Sequence, residues 1–195
     1  MREKAAVVVA FLLALFTLAT AALGQMESML HRSIFLTMTV WLGVLVYPLG
    51  KGKPWRPAGI AVDASIVLMA TVGALYIHVH YEDLMMNLPA AKAHDIVLAA
   101  GMVLVLLEMS RRTVGLIFPC LILTGIGYAL FGNLISGPLG HRGFDIAFLT
   151  ETVYMGDLGI WGLLLGVAAS TIAAFVLFGS VLLHTGGGRS FMDVA

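Results

Sequence analysis

The chain has 195 residues, 60% of them hydrophobic and only 11% charged, with a mean hydropathy of +0.99; soluble domains use roughly 45–50% apolar residues. Its formal net charge is zero, so it offers no basic surface for a nucleic-acid backbone, and nucleic acid is excluded as a partner. The single cysteine, Cys120, lies in an apolar run and reads as a small packing residue, which rules out an intrachain disulfide framework and a cysteine-based metal cluster.

Charges fall in short clusters between apolar stretches of about 17 to 24 residues, and roughly 20 such residues cross a bilayer core. Six helical spans are predicted, over residues 5–23, 33–49, 58–78, 95–107, 114–131 and 160–183. The fourth is the shortest and extends only if Glu108 and Met109 lie at the interface. Spans five and six are stopped by Gly132-Asn133 and Gly186-Gly187-Gly188. Inside lipid only helices or closed barrels satisfy their backbone groups, and these continuous runs lack the alternation of barrel strands. The expected fold is therefore an all-α integral membrane protein.

Orientation follows from the basic residues. With the N-terminus and C-terminus cytoplasmic, Arg2, Lys4, Lys51, Lys53, Arg56, Arg111, Arg112 and Arg189 fall inside, against Arg32, Lys92 and Arg142 outside. The first segment has a second reading as a cleavable secretory signal, because Met1 to Lys4 is charged and Ala19-Thr20-Ala21 resembles a cleavage site. Its removal would leave the downstream topology unchanged.

The external connection at 81–95 sets Glu82, Asp83 and Asp95 against Lys92, with Pro89 breaking any continuous helix; it reads as a short structured cap. Between spans five and six, Phe144, Ile146, Ala147, Phe148, Val153 and Tyr154 alternate with Asp145, Thr150, Glu151 and Thr152. That pattern predicts a helix lying along the interface against lipid or protein.

Few residues advertise chemistry. Asp63 sits one turn inside span three, where a mid-membrane carboxylate would cost about 2.5 kcal/mol or more. It reads as an interfacial acid near Lys53 and Arg56, with an ion site as the alternative. Glu108 with Arg111 and Arg112 has the i, i+3 and i, i+4 spacing of helical ion pairs and reads as an anchor between spans four and five. His78, His80, His94 and Glu82 could bind a transition metal, but residues two apart point to different faces of a helix. No histidine lies deep within a span, which argues against haem. The run from His184 to Arg189 lacks the Gly-Lys-Ser/Thr ending of a phosphate loop and reads as a helix stop. Gly162, Gly166, Ala169 and Ser170 let another helix backbone approach span six closely. No serine, histidine and acid share a depth, and no carboxylates pair within one layer. No residue is assigned to catalysis, to a cofactor or to a metal, and the chain does not read as an enzyme.

From the end of span four the stretch Leu107-Glu108-Met109-Ser110-Arg111-Arg112-Thr113-Val114-Gly115-Leu116, then Pro119 and Tyr128-Ala129-Leu130-Phe131-Gly132, carries a resemblance. The series continues through Gly140-His141-Arg142-Gly143, Gly166-Val167-Ala168-Ala169-Ser170-Thr171 and Phe175-Val176-Leu177-Phe178-Gly179 to Gly188-Arg189-Ser190-Phe191-Met192-Asp193. Upstream, His31-Arg32, Tyr47-Pro48 and His80-Tyr81-Glu82 belong to it. In this order the motifs resemble the fused membrane subunit of tripartite ATP-independent periplasmic (TRAP) transporters, of the class paired with TAXI-type binding proteins.

The resemblance implies a four-helix small-subunit-like domain over 1–109 and the first helices of a large permease domain over 110–195. It implies a multi-pass protein of the bacterial inner membrane. Its function would be ion-gradient-driven secondary transport of a small organic solute, an organic anion, delivered by a periplasmic solute-binding protein. The chain then reads as the front of a longer permease that cannot complete a transport cycle alone. Transporter sites form where discontinuous helices of paired repeats meet, so ion and substrate residues are expected beyond Ala195. His184 departs from the family, which often has an acid there. The rival readings are the small subunit of a tripartite tricarboxylate transporter, a membrane redox or lipid-modifying enzyme using His78, His80 or His94, and a structural assembly factor.

Overall fold

The computed structural model describes residues 2–24, 26–50, 56–86 and 90–186, and within these it is all helical, with no strand. Lys51, Lys53, Pro89 and the motif residues from Gly187 onward lie outside the described residues. The helices are α1 (Arg2–Leu23), α2 (Ser28–Val46), α3 (Arg56–Val79), a short α4 (Tyr81–Met86), α5 (Ala93–Thr113) and α6 (Ile117–Phe131). They are followed by α7 (Ile146–Met155), which ends in a π turn, and α8 (Leu163–His184), which contains one at Ala168–Ile172. Six of them are long and apolar enough to cross a membrane, the build of a multi-pass membrane protein.

Two spans differ most from their predicted limits. The second is Ser28–Val46, displaced toward the N-terminus from 33–49. The fourth, expected to be the shortest, runs 21 residues from Ala93 to Thr113. At its start the Asp95 carboxylate accepts the Lys92 backbone N–H at 2.8 Å, satisfying one of the donors that every helix start leaves free. At its end Glu108 is paired with Arg111 and Arg112, so the charged residues continue the helix instead of stopping it.

Helices α1, α2, α3 and α5 form an up-down-up-down bundle in which α2 touches all three others. One end gathers Arg2, Asp63, Glu108 and Arg112, and the opposite end gathers Arg32, His78, His94 and Asp95. Helix α6 packs outside α5, and α8 against α1 and α2. Both are apolar and show most of their surface, as lipid-facing spans do.

The core has two layers. Toward the arginine end Val40, Val44, Ile66, Ala70, Val105 and Met109 interlock. Toward the histidine end Met29, Ile77, Ala99 and Met102 surround Tyr154, Met155 and Trp161, the last three from the segment after α6. Helix α7, expected along the interface, therefore enters the bundle, and its protein partner is the chain itself. Asp145 caps it by accepting the Phe148 N–H at 2.8 Å. Thr150, Tyr154 and Met155 are buried whereas Ile146 and Phe148 are exposed, so the apolar residues of the segment divide between the core and the surface. Tyr154 enters because Gly73, Ala74 and Ala99 leave room, and its hydroxyl donates to the Gly73 carbonyl at 2.8 Å.

Candidate functional site

At the arginine end Asp63, 4% exposed, stands where the first turns of α3 meet the other helices. Its carboxylate accepts from Arg112 Nη1 at 2.6 Å, from Arg2 Nη2 at 2.8 Å and from the Leu49 backbone N–H at 3.4 Å. Arg112 also donates to the Tyr47 carbonyl at 3.3 Å and, through Nε, to Glu108 at 2.8 Å; Arg111 holds Glu108 with two bonds of 2.8 Å. The carboxylate thus ties α1, α3, α5 and the end of α2 together. Arg56, expected as a neighbour of Asp63, is exposed and makes no ion pair with it among the described residues. Both oxygens being held by guanidinium groups, the site works as an electrostatic clamp, and an ion-binding Asp63 would first have to break it.

Sequence spacing located Glu108 with its arginines but not Asp63 with Arg2 and Arg112, which are 61 and 49 residues away. The available signal was weak: antiparallel spans bring the start of spans one and three to the end of span four. Gly59 completes this end, since an added Cβ would strike the backbone carbonyl of Leu49. Gly59→Val is expected to cost about 1–3 kcal/mol by forcing the α2–α3 turn outward. A thermal unfolding midpoint equal to that of the parent would refute this close fit.

At the histidine end the three histidines part. His78 Nδ1 lies 3.3 Å from the Ser33 hydroxyl and 3.1 Å from the Ala74 carbonyl. The His80 ring stacks on Tyr76 at 4.3 Å between centroids, and His94 Nε2 sits 3.4 Å from the Asp95 carboxylate. Asp95, 1% exposed, also accepts the Tyr76 hydroxyl. Among the described residues no three histidine, cysteine or acidic side chains could hold a metal ion together. Glu82 is exposed. Tyr81 donates to Glu27 at 3.0 Å, and burial together with that carboxylate raises the Tyr81 phenol above its ordinary range.

Three further residues make contacts that the sequence did not foretell. Arg32 Nη1 donates to the Trp161 carbonyl at 2.7 Å, bracing α2 against the start of α8. Trp161 Nε1 donates to the Tyr154 carbonyl at 2.6 Å in a fully buried layer. His31 is buried and stacked on Phe16 at 5.2 Å, with no hydrogen-bond partner for its Nε2 among the described residues.

Of the small residues on span six, Gly162 and Ala169 are buried, and Gly166 meets not a helix backbone but the Arg32 guanidinium, whose Nε would lie 2.7 Å from an added Cβ. Cys120, expected as a packing residue, is exposed on α6. His184 is exposed and meets the Ser180 carbonyl of its own helix at 2.8 Å. A polar hollow of about 410 Å³ opens beside α7 between Arg142, Asp145 and Glu151. In comparisons with known proteins, no family model, no curated protein and no solved structure matches the chain.

Proposed function

We propose that the chain is a membrane component of a binding-protein-dependent secondary transporter of the TRAP type, taking up a small organic anion on an ion gradient. The carrying observation is the ordered motif series, on which the architecture can be laid: a four-helix unit closed by its own ion clamp, then two helices whose apolar faces stay open. In this reading the first unit is a scaffold and α6 and α8 face the remainder of a large permease unit. Deleting the gene is expected to abolish binding-protein-dependent uptake of at least one organic anion, with recovery on re-expression. Unchanged uptake of every anion tested would favour the assembly-factor reading. Vesicles holding only this chain and its binding protein are expected to show no uptake.

The arginine end is the cytoplasmic face in this reading, in a bacterial inner membrane, because it gathers Arg2, Lys4, Arg56, Arg111 and Arg112, against Arg32, Lys92 and Arg142 at the other end. The lone cysteine makes a direct test available. With Cys120→Ser in place, Ser136→Cys should react with an impermeant maleimide in intact cells, and Thr185→Cys only after permeabilisation. The opposite pattern would invert the topology.

A further inference from the structure

The connection from α6 to α7 is fastened by a histidine whose protonation follows from its partners. His141 Nδ1 lies 3.1 Å from the Gly143 backbone nitrogen, and its Nε2 lies 3.1 Å from the Tyr128 carbonyl. A backbone N–H only donates and a carbonyl only accepts, so Nδ1 is bare and Nε2 carries the proton. One neutral form of the ring satisfies both contacts. His78, His80 and His184 are the opposite case, since Nδ1 of each meets a carbonyl of the preceding turn and needs a proton there.

The ring is wedged in place. It lies edge-on to Tyr128 at 4.8 Å between centroids and against Phe144 at 5.3 Å, and a Cβ added to the buried Gly132 would strike it. Backbone bonds from His141 to Gly132 and from Phe144 to Ala129 close the segment, and Gly143 has φ +74°, a left-handed backbone that suits glycine. The titratable and charged groups around the ring are Tyr128 on α6 and, leading into α7, Arg142, Asp145 and Glu151. Tyr128 donates to the Leu139 carbonyl, Asp145 accepts the Phe148 N–H and Glu151 the Ala91 N–H. Among the described residues no carboxylate pairs with His141, so none is placed to receive an imidazolium.

We propose that His141 is an acid-opened latch on this connection. A second proton, on Nδ1, sets two N–H groups against each other at 3.1 Å, so the protonated ring releases Gly143 and turns toward water. The segment is tight while the ring is neutral and loosens as the pH falls through the range in which imidazoles change charge, about 8 to 5. Phe144 stacks on Phe148 at 4.8 Å, so release reaches the first turn of α7 and the hollow between Arg142 and Glu151. The latch does not depend on the transport reading.

The test is hydrogen exchange of the full chain in neutral detergent at about pH 8 and about pH 5, with rates corrected for the intrinsic effect of pH. Amides from Gly140 to Phe144 are expected to exchange about tenfold faster in acid, the weight of one lost hydrogen bond, with the middle of α5 unchanged. His141→Asn keeps an acceptor for the N–H two residues on and takes up no proton, so its segment should stay tight at both values. Should it fail to fold, His141→Asp supplies an acceptor by the same route. His141→Ala, which has no acceptor, should be loose at both. A parent segment equally protected at the two pH values, an asparagine or aspartate variant that loosens in acid as the parent does, or loosening spread evenly into α5 would each overturn the latch.

Discussion

Asp63→Asn is expected to destabilise the chain by about 3–5 kcal/mol, because it strips the counter-charge from an arginine that cannot reach water. The side chains of Asp63 and Arg112 are each 5% exposed and 2.6 Å apart, whereas that of Arg2, the other partner, is 35% exposed and can turn outward when released. The damage therefore concentrates on Arg112, whose guanidinium would keep Glu108 as its charged partner, with the Tyr47 carbonyl and the neutral amide oxygen of the new side chain as its other acceptors. Removing both charges at once, in Asp63→Leu with Arg112→Leu, should cost less than the single change, since an apolar pair can replace a buried ion pair nearly neutrally. Glu108→Gln should cost less too, its side chain being 24% exposed. Unfolding in mixed micelles, followed by tryptophan fluorescence, gives all three values. If Asp63→Asn unfolds with the parent, or the double variant is worse than the single, the cluster is not a clamp.

The spans were legible because hydropathy and length act on each segment separately. All six predicted spans correspond to long apolar helices, and the differences lie at their ends. Those ends were misjudged where a charge is satisfied by a partner. Asp95 looks like a boundary in sequence, yet it lies inside α5, held by the Lys92 N–H and the Tyr76 hydroxyl. Glu108 looks like the exit from the membrane, yet paired with two arginines it lets the helix run to Thr113.

The polar ends were legible only within single helices. Spacing finds Glu108 with Arg111 and Arg112, because i, i+3 and i, i+4 neighbours meet on any helix. It cannot find Asp63 with Arg2, or Arg32 with the Trp161 carbonyl, which are set by how antiparallel helices align across the bundle. The segment at 144–154 misled for a related reason. Its alternation of apolar and polar residues is real, but the place prepared for Tyr154 is made by Gly73 and Ala99 on other helices, and no property of the segment itself reports that.

Trp161→Ala should be the most damaging apolar truncation, at about 3–5 kcal/mol, the range for emptying a buried aromatic site. Trp161 is wholly buried, touches Tyr154 at 6.1 Å between ring centroids and bonds the Tyr154 carbonyl, while its own carbonyl holds Arg32. One side chain thus joins the turn after α7, the start of α8 and the face of α2. Leu164→Ala, three residues on and 86% exposed, should change the unfolding midpoint little, which separates the buried contact from general loss of apolar surface. Tyr154→Phe removes only the bond to the Gly73 carbonyl and should fall between them, at about 1–3 kcal/mol. The expected order has a structural consequence for the proposed two-part organisation. The Tyr154–Trp161 layer lies beyond residue 110 yet packs with Met29, Ile77 and Met102 of the first four spans, so loss of Trp161 should loosen α8 and expose the histidine end together. Proteolysis or hydrogen exchange that detects loosening in α8 alone, with α2 and α3 unchanged, would mean that the two parts are stable independently and that this shared layer does not join them.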